Sequence, residues 1–100
     1  MNWLSDPGHA WLKVRSIDLI NSGVADKISG YSYVRGAYVY LEEDCDAEKY
    51  LAAINYPVGK EIRDCHTNRH SRVRSYRSYS VERLYKQLEI ATEIKEYKHG

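Results

Sequence analysis

The sequence predicts a small α+β domain, an antiparallel sheet that carries its helices on one face. Three observations predict this class. The 100 residues suffice for one domain, strand-like and helical spacings of apolar residues alternate along the chain, and a hairpin separates two of the helices. The order strand, helix, hairpin, helix, strand matches the βαββαβ order of ferredoxin-like domains. A basic segment and a C-terminal helix follow this unit.

The first predicted strand and helix come directly after a turn signal, Asp6-Pro7-Gly8. Residues 10–14 combine bulky and β-branched side chains, which favours a strand. Ser16 is a suitable N-cap for a short helix over residues 17–21. We expect this helix to end near Gly23, because glycine accepts the left-handed conformation found at helix C-termini.

The hairpin is predicted by two β-rich runs, residues 31–34 and 37–41, on either side of Arg35-Gly36. A helix over residues 47–55 follows, with Asp44 or Asp46 as its N-cap. Residues 58–65 then have the composition of a strand. Their mixed polarity places that strand at an edge of the sheet.

Residues 66–80 form a predicted basic arm, because Val73 is almost their only aliphatic side chain. Residues 81–97 form a helix whose apolar side chains change faces along its length. We therefore divide the chain into an α+β core with its arm, residues 1–80, and a C-terminal helix, residues 81–100. Since Ile90, Ile94 and Tyr97 need a covering surface, we expect the protein to self-associate through that helix.

Charge is more informative in its distribution than in its total. The formal net charge of +1 gives no global preference for nucleic acid or for a membrane. An acidic run occupies residues 42–48, and a basic stretch occupies residues 60–77. Ten tyrosines and no phenylalanine indicate half-buried surfaces, which are common where something binds. Two cysteines and no leader-like or membrane-spanning apolar stretch predict reduced thiols in a cytoplasm, with no membrane partner.

Most chemical sites have no signature in this sequence. Cys65, His66 and His70 are close together and Cys45 could join them, but the paired spacing of zinc sites is missing. We therefore assign no metal and no cofactor. The chain also has no G-x-S-x-G motif and no glycine-rich phosphate loop. The sequence leaves enzymatic activity open and favours a non-enzymatic role.

Two segments remain as candidate sites. The carboxylates of residues 42–44 are suited to acid–base chemistry, although helix capping and a solvated acidic turn explain them more simply. The basic arm mixes arginine with tyrosine, which suits phosphate groups, a nucleic-acid strand or an acidic protein surface. A solvated arginine-rich loop explains the arm equally well. His9 becomes relevant if the fold brings it near Glu42 and Arg74.

Several short patterns resemble those of a set of short, uncharacterised proteins encoded by bacteriophages and prophages. They are SDPGHAWL at residues 5–12, ADKIS at 25–29, YSY at 31–33, YLEEDCDA at 40–47, HTN at 66–68 and RSY at 74–76. The resemblance implies a viral protein that acts in the host cytoplasm. It implies no particular activity, but its polar residues favour a shared site.

Three hypotheses follow. The first is a phage accessory protein that blocks or redirects a host macromolecule, most directly a host protein. The second is binding or hydrolysis of a nucleotide-like ligand by His9, Glu42, Asp44, His66 and Arg74. The third is nucleic-acid binding through the arm. The predicted ligand-binding residues are His9, Tyr40, Glu42, Glu43, Asp44, His66, Asn68 and Arg74. The predicted partner-binding residues are Arg69, Arg72, Arg74, Tyr76, Arg77 and Tyr79.

Overall fold

A computed structural model describes the backbone of residues 1–99 and the side chains of residues 1–92. Six strands form one sheet in the order β5-β1-β2-β4-β3-β6. The strands are β1 Asn2–Ser5, β2 Ala10–Arg15, β3 Tyr33–Arg35, β4 Tyr38–Glu42, β5 Asp64–His66 and β6 Arg77–Ser78. The helices are α1 Ser16–Ser22, α2 Ala47–Ala53 and α3 Val81–His99. The predicted α+β class is confirmed.

The sheet contains the predicted split unit and two strands that were not predicted, β1 and β6. β4 lies between β2 and β3 and runs antiparallel to both, so β2 and β3 are parallel to each other. β1 lies between β2 and β5; it is antiparallel to β2 and parallel to β5. The sheet is therefore mixed, not wholly antiparallel. Its order differs from the ferredoxin-like order by the insertion of β1 and by the addition of β6 at the edge beside β3.

Helices cover one face of the sheet, as predicted, and we call this the helical face. Leu12 and Val14 of β2 alternate with side chains that point the other way, as the two-residue period of a strand requires. Each helix contributes to the same core. Its helical members include Leu19 of α1, Ala47 and Tyr50 of α2 and Leu84 of α3.

The opposite face of the sheet is covered by the segment predicted to be a basic arm, and we call it the arm-side face. Val73 is only 1% exposed and packs with Trp11 and Tyr40. It lies in a 3-10 helix, Arg72–Ser75, and residues 77–78 pair with β3. The prediction of a long loop or extended arm is therefore wrong, because one valine covers an aromatic surface of the sheet.

Several predicted element boundaries are also wrong. Of residues 58–65 only the last two belong to a strand, β5, which does lie at the sheet edge. Val58 is fully exposed. Ser16 is the buried first residue of α1, not its N-cap, whereas Gly23 does adopt the left-handed conformation, with φ of 85°.

Asp46 occupies the N-cap position of α2 but makes no capping bond. Its carboxylate is fully buried and accepts hydrogen bonds from the backbone N–H and hydroxyl of Ser29, at 3.0 and 2.7 Å, and from the hydroxyl of Ser32. Lys49 Nζ adds an ion pair at 3.2 Å. The carboxylate therefore ties the loop before β3 to α2, and the predicted capping role is wrong.

The C-terminal helix α3 is anchored by its first turns. Leu84 is fully buried, and Gln87 Oε1 accepts a hydrogen bond from the backbone N–H of Gly36 at 3.0 Å. Ile90 is exposed, while the side chains of Ile94 and Tyr97 lie outside the described residues. No helix in the described part of the chain is long and apolar enough to cross a membrane.

Candidate functional site

A cavity of about 270 Å³ opens on the arm-side face of the sheet, where β4 ends. We call it the aromatic cavity. It brings together four of the residues that the sequence predicted for a ligand site: His9, Glu42, Asp44 and Arg74. Four further residues complete its lining: Trp11, Tyr31, Tyr33 and Cys45.

Aromatic rings form the walls of the aromatic cavity. Trp11 of β2 and Tyr33 of β3 meet edge to face, with ring centroids 6.2 Å apart, and the His9 ring lies 6.0 Å from Trp11. Tyr31 is 71% exposed at the mouth. Among the described residues, the buried indole nitrogen of Trp11 has no hydrogen-bond partner. The walls offer flat apolar surfaces on which a planar ring can stack.

Glu42, the last residue of β4, places a carboxylate at the cavity. Its side chain is only 10% exposed. Oε2 accepts hydrogen bonds from the backbone N–H groups of Asp44, at 3.0 Å, and Cys45, at 2.8 Å. Oε1 faces His9, whose Nδ1 is 3.9 Å away. The Glu42 carboxylate raises the pKa of the Cys45 thiol. A rigidly held negative charge therefore borders the cavity.

The Asp6–Arg74 ion pair fixes the cavity wall from the other side. Arg74 Nε donates to Asp6 Oδ2 at 2.7 Å, and a terminal nitrogen of the guanidinium donates to Oδ1 at 2.9 Å. This guanidinium holds the pKa of Asp6 well below its usual range. It also lies 5.2 Å from the centroid of the Trp11 ring. Because its charge is already paired, Arg74 shapes the wall and is a poor anchor for an anion.

The turn between β1 and β2 positions His9. The backbone N–H groups of Gly8 and His9 both donate to Asp6 Oδ1 at 2.9 Å. A side chain at position 8 would bring a Cβ within 2.9 Å of the Arg74 guanidinium. Glycine therefore leaves room for the Arg74 guanidinium to lie close to this turn. The sequence signal Asp6-Pro7-Gly8 has a structural role that also orients a cavity residue.

The remaining predicted ligand-binding residues lie outside the cavity lining. Tyr40 is buried against Tyr76, with ring centroids 5.0 Å apart, and burial raises its pKa to about 12. His66 and Asn68 lie at the β5 edge, joined by a 3.1 Å contact between Nε2 and Oδ1. The second nitrogen of His66 lies 2.8 Å from the hydroxyl oxygen of Ser5. The structure thus does not bring His66 to Glu42.

Some of the predicted partner-binding residues are exposed, whereas others are paired or buried within the fold. Arg69, Arg72 and Arg77 are exposed. Arg74 is paired with Asp6. Tyr79 is buried among the core residues of the helical face, and its hydroxyl donates to the carbonyl oxygen of Ala25. Burial raises the pKa of Tyr79 to about 12. Tyr79 is therefore a core residue.

Sequence reasoning missed the aromatic walls. Trp11 and Tyr33 were recognised as strand residues and as parts of the phage-like patterns, but neither was proposed as a ligand-binding residue. A usable signal was present. Alternation places residues 11 and 13 on one face of their strand, and residues 33 and 35 on one face of theirs. The sequence alone did not show which strands are neighbours in the sheet, and therefore did not show that these two faces meet.

The fold and the cavity define a small α+β domain with a mixed six-stranded sheet and an aromatic cavity on its arm-side face. No protein-family model, curated protein or solved structure matches the chain. The resemblance to short phage proteins therefore stays a prediction.

Proposed function

We propose that the protein binds a nucleotide-like ligand and that the aromatic cavity takes its planar ring. One observation carries the proposal: the rings of His9, Trp11 and Tyr33 surround a cavity of about 270 Å³. This volume is just below the range of about 300–1,000 Å³ that ligand pockets usually have. It suits one ring, with the rest of the ligand extending past Tyr31 into solvent.

The chemistry beside the ring supports binding without catalysis. Cys45 is the cavity's one thiol among the lining residues, and the neighbouring Glu42 carboxylate disfavours its thiolate form by raising the thiol pKa. His66, which the hydrolytic hypothesis required near Glu42, lies at the β5 edge. The proposal therefore assigns no nucleophile.

Tryptophan fluorescence tests the proposal with nucleosides as probes, since these carry a base and no phosphate. In a Trp3→Phe background, Trp11 is the single reporter. We expect saturable quenching by a purine or pyrimidine nucleoside. Tyr33→Leu should weaken it roughly fivefold or more, because base–aromatic stacking contributes about 1–3 kcal/mol per base.

Tyr85→Leu is the matched control, because Tyr85 is an exposed tyrosine on α3 and does not line the cavity. It should leave nucleoside affinity unchanged. The proposal fails if none of the common nucleosides binds at millimolar concentration, or if both leucine variants bind equally well.

A second candidate function is docking onto an acidic or phosphate-bearing host macromolecule, and exposed arginines favour it. Arg69, Arg72 and Arg77 are all exposed on the segment that covers the arm-side face. Such contacts to nucleic acid release counterions and weaken steeply with salt. Salt-insensitive binding to oligonucleotides, or host-protein capture that survives replacement of all three arginines by alanine, would exclude this surface.

A further inference from the structure

We propose that His9, Glu42 and Glu43 form a binding site for a divalent transition-metal ion of the zinc class at the rim of the aromatic cavity. One ligand atom from each of these residues lies within 4.8 Å of the other two. His9 Nδ1 and Glu42 Oε1 are 3.9 Å apart. The three residues come from two chain segments, the turn before β2 and the end of β4, that sheet pairing brings together.

These separations are close to those of a metal site. Zinc binds imidazole nitrogen and carboxylate oxygen at about 2.0–2.2 Å, which places two ligands roughly 3.4 Å apart in a tetrahedron. A small rotation of His9 and Glu43 closes the remaining gap, and both side chains are exposed and free to turn. Glu42 need not move, since two backbone N–H groups hold its other oxygen.

The burial of Glu42 is an independent indication of a cation. Its side chain is nine-tenths buried, and within the described residues Oε1 accepts no hydrogen bond; it faces His9 Nδ1 at 3.9 Å, and a Glu43 carboxylate oxygen lies within 4.8 Å. The nearby cations are engaged elsewhere: Arg74 pairs with Asp6, and Lys49 pairs with Asp46. Two carboxylates held this close repel each other, which is costly where one of them is largely buried. A cation at Oε1 removes that cost.

The donor set selects the class of ion. One imidazole and two carboxylates suit zinc and its neighbours, whereas magnesium and calcium prefer oxygen ligands alone. Three protein ligands also leave at least one coordination position open, as in sites that receive an outside ligand. That position borders the aromatic cavity, because His9 and Glu42 line both.

A bound metal would give the acidic side chains at the rim of the aromatic cavity a role in selecting the ligand. This role rests on the proposed function. Glu42, Glu43 and Asp44 alone would repel a phosphate group. A bound divalent ion offsets this charge and offers its open position to a phosphate oxygen. We therefore expect a nucleoside monophosphate to bind more tightly than its nucleoside in the presence of metal, and less tightly in its absence.

Calorimetric titration of the full chain with Zn²⁺, and visible absorption with Co²⁺, test the site directly. We expect one ion per chain and a Co²⁺ spectrum of low coordination number. His9→Gln and Glu43→Gln should each weaken binding roughly tenfold or more, since even loss of a residue supporting a metal ligand costs 10–100-fold. Thermal melts of the metal-free variants should match the parent, because both side chains are exposed.

His70→Gln and Glu48→Gln are matched controls, because both residues are exposed and neither belongs to the cluster. They should bind Zn²⁺ like the parent. The site is overturned if no stoichiometric binding occurs, or if the control variants lose as much affinity as His9→Gln and Glu43→Gln.

Nucleoside binding without metal separates this inference from the proposed function. Metal binding that depends on His9 and Glu43, together with no nucleoside binding, supports the site and refutes the function. Nucleoside binding without metal binding supports the proposed function and refutes the metal site. Metal that binds but does not favour the monophosphate over the nucleoside overturns the phosphate role.

Discussion

Asp6 joins parts of the chain that are 68 residues apart. Its carboxylate accepts two hydrogen bonds from Arg74, two from the turn at Gly8 and His9, and one from the backbone N–H of Ser71 at 2.9 Å. Five donors on one buried carboxylate favour its ionised form strongly. The Asp6–Arg74 pair therefore fastens the covering segment, residues 66–80, to the turn between β1 and β2. It also sets the position of His9.

The first prediction concerns the pH dependence of this pair. The folded-state pKa of Asp6 is depressed, so its contribution is complete above the unfolded pKa of about 3.9 and is lost as pH falls below it. Asp6→Asn should cost roughly 2 kcal/mol at neutral pH. The difference from the parent should shrink below about pH 4. Urea unfolding at a series of pH values measures both effects.

Asp18→Asn is the control for this experiment. Asp18 forms an exposed ion pair with Arg15 within one helical turn, with Nε and Oδ2 2.9 Å apart. Exposed pairs contribute only about 0.2–1 kcal/mol. An Asp6→Asn deficit that stays constant down to pH 3, or that matches the Asp18→Asn deficit, contradicts the assignment.

At this scale the sequence predicted part of the candidate site. His9, Glu42 and Arg74 were proposed together because turns and strand ends hold functional side chains, and they line one cavity. Asp6 was not proposed, since its partner Arg74 follows only from the tertiary fold. His66 was proposed and lies elsewhere, because the parallel pairing of β5 with β1 could not be inferred from spacing.

Among the elements, the covering segment shows how one apolar residue can outweigh a polar composition. Residues 66–80 have no amphipathic period, so pattern reasoning predicted an arm. Val73 nevertheless packs between Trp11 and Tyr40, and the turn is closed by the Ser71 hydroxyl, which accepts from the Val73 N–H at 3.3 Å. The surface it covers belongs to strands far away in sequence, and no local pattern reveals such a surface.

The second prediction tests this anchoring. Val73→Ala should destabilise the fold by about 2 kcal/mol, as expected for truncating a buried aliphatic side chain. It should also accelerate cleavage by trypsin after Arg69, Arg72 and Arg77, because local opening of the segment becomes easier. Denaturant unfolding and a proteolysis time course provide the two measurements.

Val58→Ala removes the same methyl groups from a fully exposed valine and is the matched control. Surface substitutions of this kind usually stay within about 0.5 kcal/mol. Equal effects of the two substitutions, or unchanged cleavage after the three arginines in Val73→Ala, would show that the segment is not held by Val73.

For the whole molecule, the α+β class and the split unit were predictable from the spacing of apolar residues and from the residues that favour turns. The hairpin was predictable because Gly36, at φ of 58°, occupies a left-handed turn position that suits glycine. The strand β1 was not predictable, because Trp3 and Leu4 stand alone among polar neighbours. Trp3 packs against the core of the helical face and Leu4 against the core of the arm-side face. Covering both faces of the sheet gives the domain two cores, and the aromatic cavity belongs to the smaller one.

The last prediction concerns assembly through α3. Its first turns are anchored by Leu84 and Gln87, and Ile90 beyond them is exposed. In sequence, Ile94 and Tyr97 recur on the face of Ile90 at helical spacing. An apolar stripe of this kind favours pairing with a second copy. Light scattering should therefore report a mass above that of one chain.

Replacing Ile90 and Ile94 together by glutamate should return the mass to that of a monomer, because two charges interrupt the apolar stripe. Thr92→Glu is the control, since position 92 lies on nearly the opposite side of the helix from Ile90 and is exposed. It adds charge to the same helix and should leave the assembly intact. A monomeric parent at all concentrations, or equal masses for the parent and the double variant, would contradict self-association through this face. Because the aromatic cavity does not include α3, nucleoside affinity should be the same in both variants.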